Sequence, residues 1–416
     1  MTPDFTFVFL VFFLLTVTVR LWLKRRHIRF VDAHRNAVPA DFAERIALAD
    51  HQKAAAYTVD RSKIAMVGTL IEAAMLIAFT LGGGLAALHD IWSVRLDGLA
   101  YGLAMIFSLM FISGLIDLPL SLYSQFVVEA RHGFNRMTLG LFFTDLLKQT
   151  VLGVAIGAPV IAAVLWLMGA MGEYWWLYVW LFWSGFNLLI MFVYPTWIAP
   201  LFNKFSPLEE GEMKSRIEAL LGRCGFRSSG LFVMDGSKRS SHGNAYFTGF
   251  GNNKRIVFFD TLLARLAPTE VEAVLAHELG HFRKKHVVKR MVLMFAGSLG
   301  FLWLLGQLID APWFYAGLGV PAQNTTLALI LFFLVMPVFT FPLSPLMSHF
   351  SRQHEFEADA YAAENASADD LVHALVKLYQ DNASTLTPDP LHSLFYDSHP
   401  PAAQRIAHLQ AQENPA

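Results

Sequence analysis

The chain has 416 residues, of which 55% are hydrophobic and 16% charged, and its formal net charge is −1. Soluble globular proteins carry about 25% charged residues, so this composition, with a mean hydropathy of +0.44, predicts an integral membrane protein and excludes disordered, collagen-like and coiled-coil chains. The near-neutral net charge excludes a global electrostatic field that recruits nucleic acid. The single cysteine, Cys224, excludes intrachain disulfides and thiolate metal clusters. Any metal must therefore be held by histidines and carboxylates.

Seven stretches are long and apolar enough to cross a membrane, which takes about 20 residues. In chain order they are about 5–23, 64–88, 99–122, 151–171, 175–197, 287–309 and 327–347. The first lacks the basic start and the cleavage site of a secretory signal. Glu72 and Asp117 lie within the second and third spans, where a carboxylate in lipid is costly. We expect both to face an interior cavity, with hydrogen bonding between helices as the alternative.

Basic residues predict the orientation of these spans, since loops rich in Lys and Arg stay on the cytoplasmic side. Six of them follow the first span between Arg20 and Arg35, and the loop after the third span also carries Arg131 and Arg136. The loop 310–326 after the sixth span has no Lys or Arg. We therefore expect the large segments after spans five and seven to face the cytoplasm.

The topology divides the chain into four parts and predicts a mainly α fold, a seven-helix bundle with a cytoplasmic α/β unit. The parts are 1–197 with the first five membrane helices, 198–286 as a cytoplasmic insert, 287–347 with helices six and seven, and 348–416 as a cytoplasmic C-terminal segment. Within the insert, the pattern predicts a helix at 209–223, strands at 231–235, 244–249 and 255–259, and a turn at 251–253. Another helix begins at Thr269, where Thr269 and Glu272 fit a capping box.

That last helix carries the pattern H-E-x-x-H, from His277 through Glu278 to His281. Histidines four residues apart lie on one helix face, so both imidazoles reach a single Zn²⁺. Glu278 is then placed to reach water on the metal rather than the metal itself, and to act as general base. The competing interpretation, a helix with two unrelated surface histidines, is disfavoured by the preceding strand and helix start.

A catalytic zinc needs a third protein ligand. His286 does not supply the metzincin spacing, because that spacing requires a histidine where Val287 stands. A helix predicted around 348–363 offers Glu355 as the ligand, with Asp359 four residues on to hydrogen-bond a liganding imidazole.

Two alternatives remain for this helix. Glu357 is the weaker candidate ligand, and Glu355 is also compatible with a solvated acidic helix beside Arg352. Two membrane crossings separate His281 from Glu355, which returns both to the same side of the membrane and favours Glu355 as a ligand.

Taken together, these features resemble the type I CAAX prenyl proteases, integral-membrane zinc endopeptidases of the gluzincin kind. Besides the seven spans and 277–281, the resemblance is carried by 200–205, 244–250, 254–262, 351–352, 355–359, 398–401 and Arg405. Each motif alone is weak, but their order along the chain is highly specific. The resemblance implies seven helices around a water-filled chamber that is capped by the metal site, and it implies that the cytoplasmic insert 198–286 is a gluzincin-type zinc metallopeptidase unit.

The resemblance also implies a role for each matching residue. His277, His281 and Glu355 match the ligands of one Zn²⁺ per chain, Glu278 the general base, and Asp359 and Arg352 the residues that support the ligands. Asn244, Ala245, Tyr246 and Phe247 match an edge strand that binds the substrate backbone by strand addition, and Arg405 matches a partner in the substrate-binding C-terminal segment. His399 matches a catalytic histidine that stabilises the oxyanion, whereas from the residues alone it is a surface-loop histidine.

The implied function is a zinc-dependent membrane endopeptidase that cleaves near the C-terminus of prenylated CAAX proteins or related membrane-associated substrates. Its partners are then a peptide or protein substrate, prenylated or not, and membrane lipid, without nucleic acid. Nothing in these residues specifies a prenyl group, and the chain ends without a visible retrieval signal, so we expect a bacterial inner membrane rather than the endoplasmic reticulum.

Three alternative functions stay open on the sequence. Within enzymes, the heat-shock membrane metallopeptidases share the zinc motifs and perform quality control of membrane proteins. Outside enzymes, a seven-span transporter fits the intramembrane acids but leaves the zinc motif without purpose. A catalytically inactive scaffold is disfavoured by the intact Glu278.

Overall fold

The computed structural model describes residues 2–248 and 253–413, and within them seven helical runs are long and apolar enough to cross a membrane, as expected. The elements of the membrane part are α1 (Thr2–His34), α2 (Leu48–Phe79), α3 (Gly84–Ser93), α4 (Gly98–Tyr123) with a π-helical extension (Ser124–Glu129), α5 (Leu139–Ala170), α6 (Trp175–Val193) with a π-helical extension (Tyr194–Ile198), α10 (His286–Leu308), α11 (Pro312–Ala316), α12 (Thr325–Thr340) and α13 (Ser344–Asn365).

The remaining elements build the unit outside the bundle. They are β1 (Phe205–Pro207), α7 (Glu212–Arg223), β2 (Arg227–Met234), β3 (Ala245–Thr248), β4 (Asn253–Phe259), α8 (Asp260–Leu263), α9 (Pro268–Arg283), α14 (Ala368–Asp381), α15 (Pro390–Tyr396) and α16 (Ala402–Glu413).

Several membrane helices extend well beyond the apolar stretches that identify them. The first continues from the expected end near residue 23 to His34, and the second begins at Leu48 rather than near 64. The seventh continues through a short 3-10 turn into α13 and ends at Asn365. Hydropathy detects only the part of a helix that lies in lipid, and good helix formers such as Arg, Lys and Ala carry the helix on into water.

The centre of the membrane bundle is α12, which is apolar on all sides. Its residues from Thr326 to Phe332 are all buried, whereas the other membrane helices bury few of their side chains. The Thr16 hydroxyl of α1 donates to the carbonyl oxygen of Val338 at 2.9 Å, next to Pro337 inside α12. A helix that is apolar all round packs inside a bundle, which explains why α12 is buried among the other membrane helices.

The two intramembrane carboxylates line a cavity of about 580 Å³ between the membrane helices, as expected. Glu72 also accepts a hydrogen bond from Arg20 of α1 at 2.8 Å, and Arg20 lines the same cavity. Both interpretations of Glu72, a residue that faces a cavity and one that joins two helices, thus hold together. Asp117 lines the cavity from α4.

Outside the membrane, four strands form a mixed sheet in the order β1-β2-β4-β3. The central pair, β2 and β4, is parallel, and the two outer pairs are antiparallel. The expected strands are present with somewhat different ends, β1 was not expected, and Gly251 and Asn252 of the expected turn lie outside the described residues. The expected amphipathic helix is α7.

The predicted capping box at the start of α9 is wrong, although the helix begins within one residue of the expected position. The carboxylate of Glu270, not Glu272, accepts from the backbone N–H of the capping residue Ala267 at 2.7 Å. Glu272 is held instead by Arg216 at 2.9 Å and by Arg223 at 2.7 Å. These charged tertiary contacts from α7 outweigh a local cap.

The core of this unit forms around α9, whose Val271, Ala273 and Leu275 are fully buried. On its other side α9 packs closely on α13. A methyl group at Gly280 would lie 3.0 Å from the Cα atom of Ala358, which is tighter than nine in ten real Cβ contacts, and its backbone neighbour would have to shift. The glycine within the H-E-x-x-H motif therefore lets these two helices approach, and this approach positions the site.

Candidate active site

The close packing of α9 and α13 brings three expected ligands to one point. The Nε2 atoms of His277 and His281 are 3.2 Å apart. The carboxylate of Glu355 lies 3.5 Å from Nε2 of His277 and 3.4 Å from Nε2 of His281. All three side chains are buried or half-buried, and one ligand atom from each lies within 4.8 Å of the others.

This arrangement fits a tetrahedral metal ion. Bonds of 2.0–2.1 Å to a tetrahedral zinc place ligand atoms about 3.3 Å apart, close to the separations measured here. Two imidazole nitrogens at 3.2 Å need a proton or a cation between them, since their lone pairs repel. In addition, Oε2 of Glu355 is buried without a hydrogen-bond partner among the described residues. A nitrogen and carboxylate donor set of this kind suits zinc.

Behind the ligands lies a buried ion pair. Oδ1 of Asp359 is 2.8 Å from Nδ1 of His277, so the carboxylate accepts from that N–H when Nε2 faces the metal. Arg405 donates from Nε to Oδ2 of Asp359 at 2.8 Å, and both side chains are almost fully buried. Arg405 was expected in the substrate-binding segment, but it lies behind the ligands, where it compensates the charge of Asp359 and lies 3.9 Å from Glu355.

The pKa values of the two histidines are shifted in opposite directions. Burial and the nearby Arg405 disfavour protonation of His277, but the hydrogen bond to Asp359 and the nearby carboxylate of Glu355 outweigh them and raise its pKa to about 9. For His281, burial and the repulsion by His277 lower the pKa to about 3. One of the two imidazoles thus carries a proton at neutral pH and the other does not.

Glu278 follows His277 directly and is half-buried. Burial raises the pKa of Glu278 above its ordinary value, and the neighbouring Glu355 acts in the same direction, while His277 and Arg405 oppose it. A carboxylate whose pKa is raised is a better base once ionised, which suits a residue that must take up a proton.

His399 reaches the site from the loop before α16. Its Nε2 lies 3.5 Å from Oε1 of Glu355, and its side chain is 63% exposed, so it faces open space beside the ligands. It lines a cavity of about 580 Å³.

The segment that leads to His399 is anchored to two helices, α13 and α1. Arg352 of α13 was expected to support the ligands, but it donates to the carbonyl oxygens of Ser393 at 3.1 Å and Asp397 at 3.0 Å. Asp389, fully buried at the start of α15, pairs with Arg26 of α1 at 2.9 Å. Arg352 therefore acts on the loop, not on a ligand, within the described contacts.

The expected substrate strand is β3 at the edge of the sheet. Ala245, Tyr246 and Phe247 pair with β4 on one side, and the strand order leaves the other side of β3 without a neighbouring strand among the described residues. Asn244 is exposed and lines a second cavity of about 570 Å³. Residues 249 and 250 of the matching motif lie outside the described residues.

Sequence reasoning set aside two residues that the structure brings to the ligands. His286 lies at 2.9 Å from His281, and Glu357 lies at 2.9 Å from His286. Their sequence signal was weak, because neither fits a ligand spacing. The feature that brings His286 back is the end of α9 before Lys284 and Lys285, after which the chain returns toward His281.

Comparison with known proteins gives consistent matches along nearly the whole chain. Residues 27–204 match the family model described as the CAAX prenyl protease N-terminal, five membrane helices, and residues 207–413 match the model of peptidase family M48. The CAAX prenyl protease 1 homolog of Arabidopsis thaliana is 36% identical over 382 residues, covering 87% of this chain and 88% of that protein. The CAAX prenyl protease 1 homolog of Homo sapiens is 33% identical and covers 95% of this chain and 94% of its own. The crystal structure of S. mikatae Ste24p superposes with a TM-score of 0.90 at 31% identity, over 97% of this chain and 98% of that one.

Proposed function

Because the chain belongs to the CAAX prenyl protease family of M48 metallopeptidases, and is thus a membrane metalloendopeptidase of the kind that processes CAAX proteins, we propose that it works with a single Zn²⁺ held by His277, His281 and Glu355. The observation that carries this proposal is the meeting of three ligand side chains, whose nearest nitrogen and oxygen atoms lie 3.2–3.5 Å apart in each pair. The family membership disfavours the quality-control and transporter alternatives.

When bound, zinc supplies Lewis acidity, which polarises the scissile carbonyl group and lowers the pKa of water. Glu278 takes a proton from the attacking water and later delivers it to the leaving amine. Asp359 keeps the proton of His277 on Nδ1, so that the Nε2 lone pair faces the site. His399 donates to the carbonyl oxygen as negative charge develops there.

The substrate backbone adds to the free edge of β3 in this proposal. An extended peptide pairs its main chain with Ala245 and Phe247, while its side chains enter the neighbouring cavities. The cavity at Asn244 and the cavity at His399 share Arg61, Asn382 and Ser384 in their walls. The shared wall supports a continuous path from the edge strand to the ligands.

The test is cleavage of a farnesylated CAAX peptide by the purified protein in detergent, with a chelator and a Glu278 variant as controls. Cleavage that both controls abolish is the expected result. The same peptide without the farnesyl group, used as the matched substrate, measures whether prenylation is required. A protein that holds one zinc per chain but cleaves neither peptide would contradict CAAX processing and leave membrane-protein quality control.

Metal binding at this site should release about one proton at pH 7. His277, with a pKa of about 9, is protonated at that pH, whereas His281, with a pKa of about 3, is already neutral, and zinc binds only neutral imidazole. The apparent zinc affinity should therefore rise about tenfold per pH unit between pH 7 and 9 and level off above.

Calorimetric titration with zinc in buffers of different ionisation enthalpy measures this proton number. In Asp359→Asn, which removes the negative charge that helps to raise the pKa of His277, the number should fall toward zero. A pH-independent affinity between pH 6 and 8 would contradict the assignment of His277 as the protonated ligand.

The chain is a multi-pass membrane protein, and we propose that its active site faces the cytoplasm. The basic residues after the first and third spans support this orientation. A cysteine in place of Ser93 and one in place of Ser237, both exposed positions, should then react with a membrane-impermeant thiol reagent from opposite sides of the membrane. The native Cys224 is buried, which keeps the background low. Labelling of both positions from one side would contradict the topology.

The proposed partners are a peptide or protein substrate and the surrounding membrane lipid, without nucleic acid. The inner membrane of a bacterium stays an expectation from the sequence alone, and the named relatives come from eukaryotes.

A further inference from the structure

The sixth membrane helix begins with a residue that contacts a proposed metal ligand. Between α9 and α10 the chain reverses at Lys285, which has a positive φ of 59°. This turn folds His286 back onto the end of α9, where Nδ1 of His286 lies 2.9 Å from Nδ1 of His281. On the far side of its ring, Nε2 of His286 lies 2.9 Å from Oε2 of Glu357 on α13. The His286 side chain is only 2% exposed.

These two contacts fit a single pattern of hydrogen bonds. A histidine that binds a metal through Nε2 carries its proton on Nδ1 and must donate it. Nδ1 of His286 is then the acceptor, so the proton of His286 resides on Nε2 and is donated to Glu357. The result is a chain of two hydrogen bonds: Nδ1–H of His281 donates to Nδ1 of His286, and Nε2–H of His286 donates to Glu357. The direction of this hydrogen-bond chain is fixed once Nε2 of His281 faces the metal.

We propose that His286 is a positioning residue for the ligand His281, and that Glu357 fixes the tautomer of His286. The proposal rests on the zinc site proposed above. In this proposal His286 supports His281 as Asp359 supports His277. The difference is that the support of His281 passes through the imidazole of His286 to the carboxylate of Glu357, which is 46% exposed.

Further contacts hold this support in place. The ring of His354 stacks on that of His286 with centroids 4.0 Å apart and an angle of 13° between the planes. Lys289, one turn along α10, places its Nζ 3.8 Å from the carboxylate of Glu357. The hydrogen-bond chain therefore connects the motif helix α9, the start of membrane helix α10 and the ligand helix α13. As a result, the orientation of the His281 ring depends on the position of a membrane helix.

Replacement of His286 separates an acceptor role from a packing role. In His286→Leu the acceptor is lost, and we expect zinc to dissociate about 10–100-fold faster, in line with the 10–100-fold loss of metal affinity that follows removal of a residue supporting a ligand. In His286→Asn the side-chain oxygen stands where Nδ1 stood, on the same Cγ atom, and we expect a rate within about threefold of the parent. His349→Ala, which removes an exposed histidine from α13, is the matched control and should leave the rate unchanged.

The measurement is zinc transfer from the purified full-length protein in detergent to a chromophoric chelator, beside the melting temperature of the zinc-free protein. A purely structural role would lower the melting temperature of the zinc-free Leu variant and give equal zinc release for Leu and Asn. Equal release rates in Leu and Asn, or a Leu rate equal to that of the parent, would overturn the proposal.

Glu357 gives an independent test, which also serves if His286→Leu does not fold. Glu357→Ala should speed zinc release several-fold, and Glu357→Gln, which keeps an oxygen acceptor for Nε2–H, should not. Glu364→Ala, an exposed carboxylate on the same helix, is the control. Unchanged release in Glu357→Ala would overturn the role of Glu357, whereas a parent protein that binds no zinc would overturn the metal site itself.

Discussion

Glu278→Gln is expected to lower kcat for peptide cleavage by about 10²–10⁴-fold, the contribution of a general acid–base group, while zinc content stays near one per chain. Glutamine has nearly the same shape as glutamate but cannot take up a proton at neutral pH. Glu278 is adjacent to a ligand but is not one of the three residues that meet at the site, so metal binding should survive its replacement.

Turnover, zinc content and melting temperature are measured on the same preparation. Glu364→Gln, an exposed change of the same kind on α13, is the control and should keep full activity. Substantial turnover by Glu278→Gln with zinc bound would remove Glu278 from the proposed mechanism, because no proton acceptor would then be required at that position.

Glu355→Ala is expected to weaken zinc binding by more than about 100-fold, since even residues that only support a ligand contribute 10–100-fold. Glu355 is buried, and its carboxylate faces the positive or polar ends of His277, His281, His399 and Arg405. Its loss removes one of three ligands and also the negative charge that these groups share. Cleavage should be lost together with the metal.

Competition with a chelator of known affinity measures this loss. Glu355→Gln keeps the volume of the buried side chain, so a protein that folds but binds zinc poorly is expected there even if the alanine variant is unstable. The control is again Glu364→Ala on the exposed side of α13. Zinc affinity unchanged in both Glu355 variants would show that another residue is the third ligand.

The membrane architecture was largely predictable, because the number of spans follows from the count of apolar stretches of sufficient length. The helix ends were not, because hydropathy says nothing about the part of a helix in water. The start of α9 was predicted within one residue, but the carboxylate that caps the helix was predicted wrongly. Glu270 and Glu272 are equally plausible locally, and only the position of α7, with Arg216 and Arg223, decides between them.

The first part of the candidate site was also predictable, since the relation of His277 and His281 is local to one helix turn. The choice between Glu355 and Glu357 as the third ligand depends only in part on local helix geometry. Two residues apart, they point about 200° away from each other on a helix, so at most one can face the motif. Which one does so depends on the contact of Gly280 with Ala358, which turns Glu355 toward the histidines and Glu357 toward His286.

The sequence by itself determined the features with a local or compositional cause. These are seven membrane helices, an H-E-x-x-H motif on a helix, and a family resemblance carried by motifs in order. Only the tertiary structure decided how distant residues serve that motif. Arg405 is 128 residues from His277 and appears in sequence as one more charged residue of a C-terminal helix, yet it lies buried against Asp359. His286 fits no ligand spacing but contacts His281. Such roles depend on which surfaces meet when helices pack, and packing joins positions that no spacing along the chain relates.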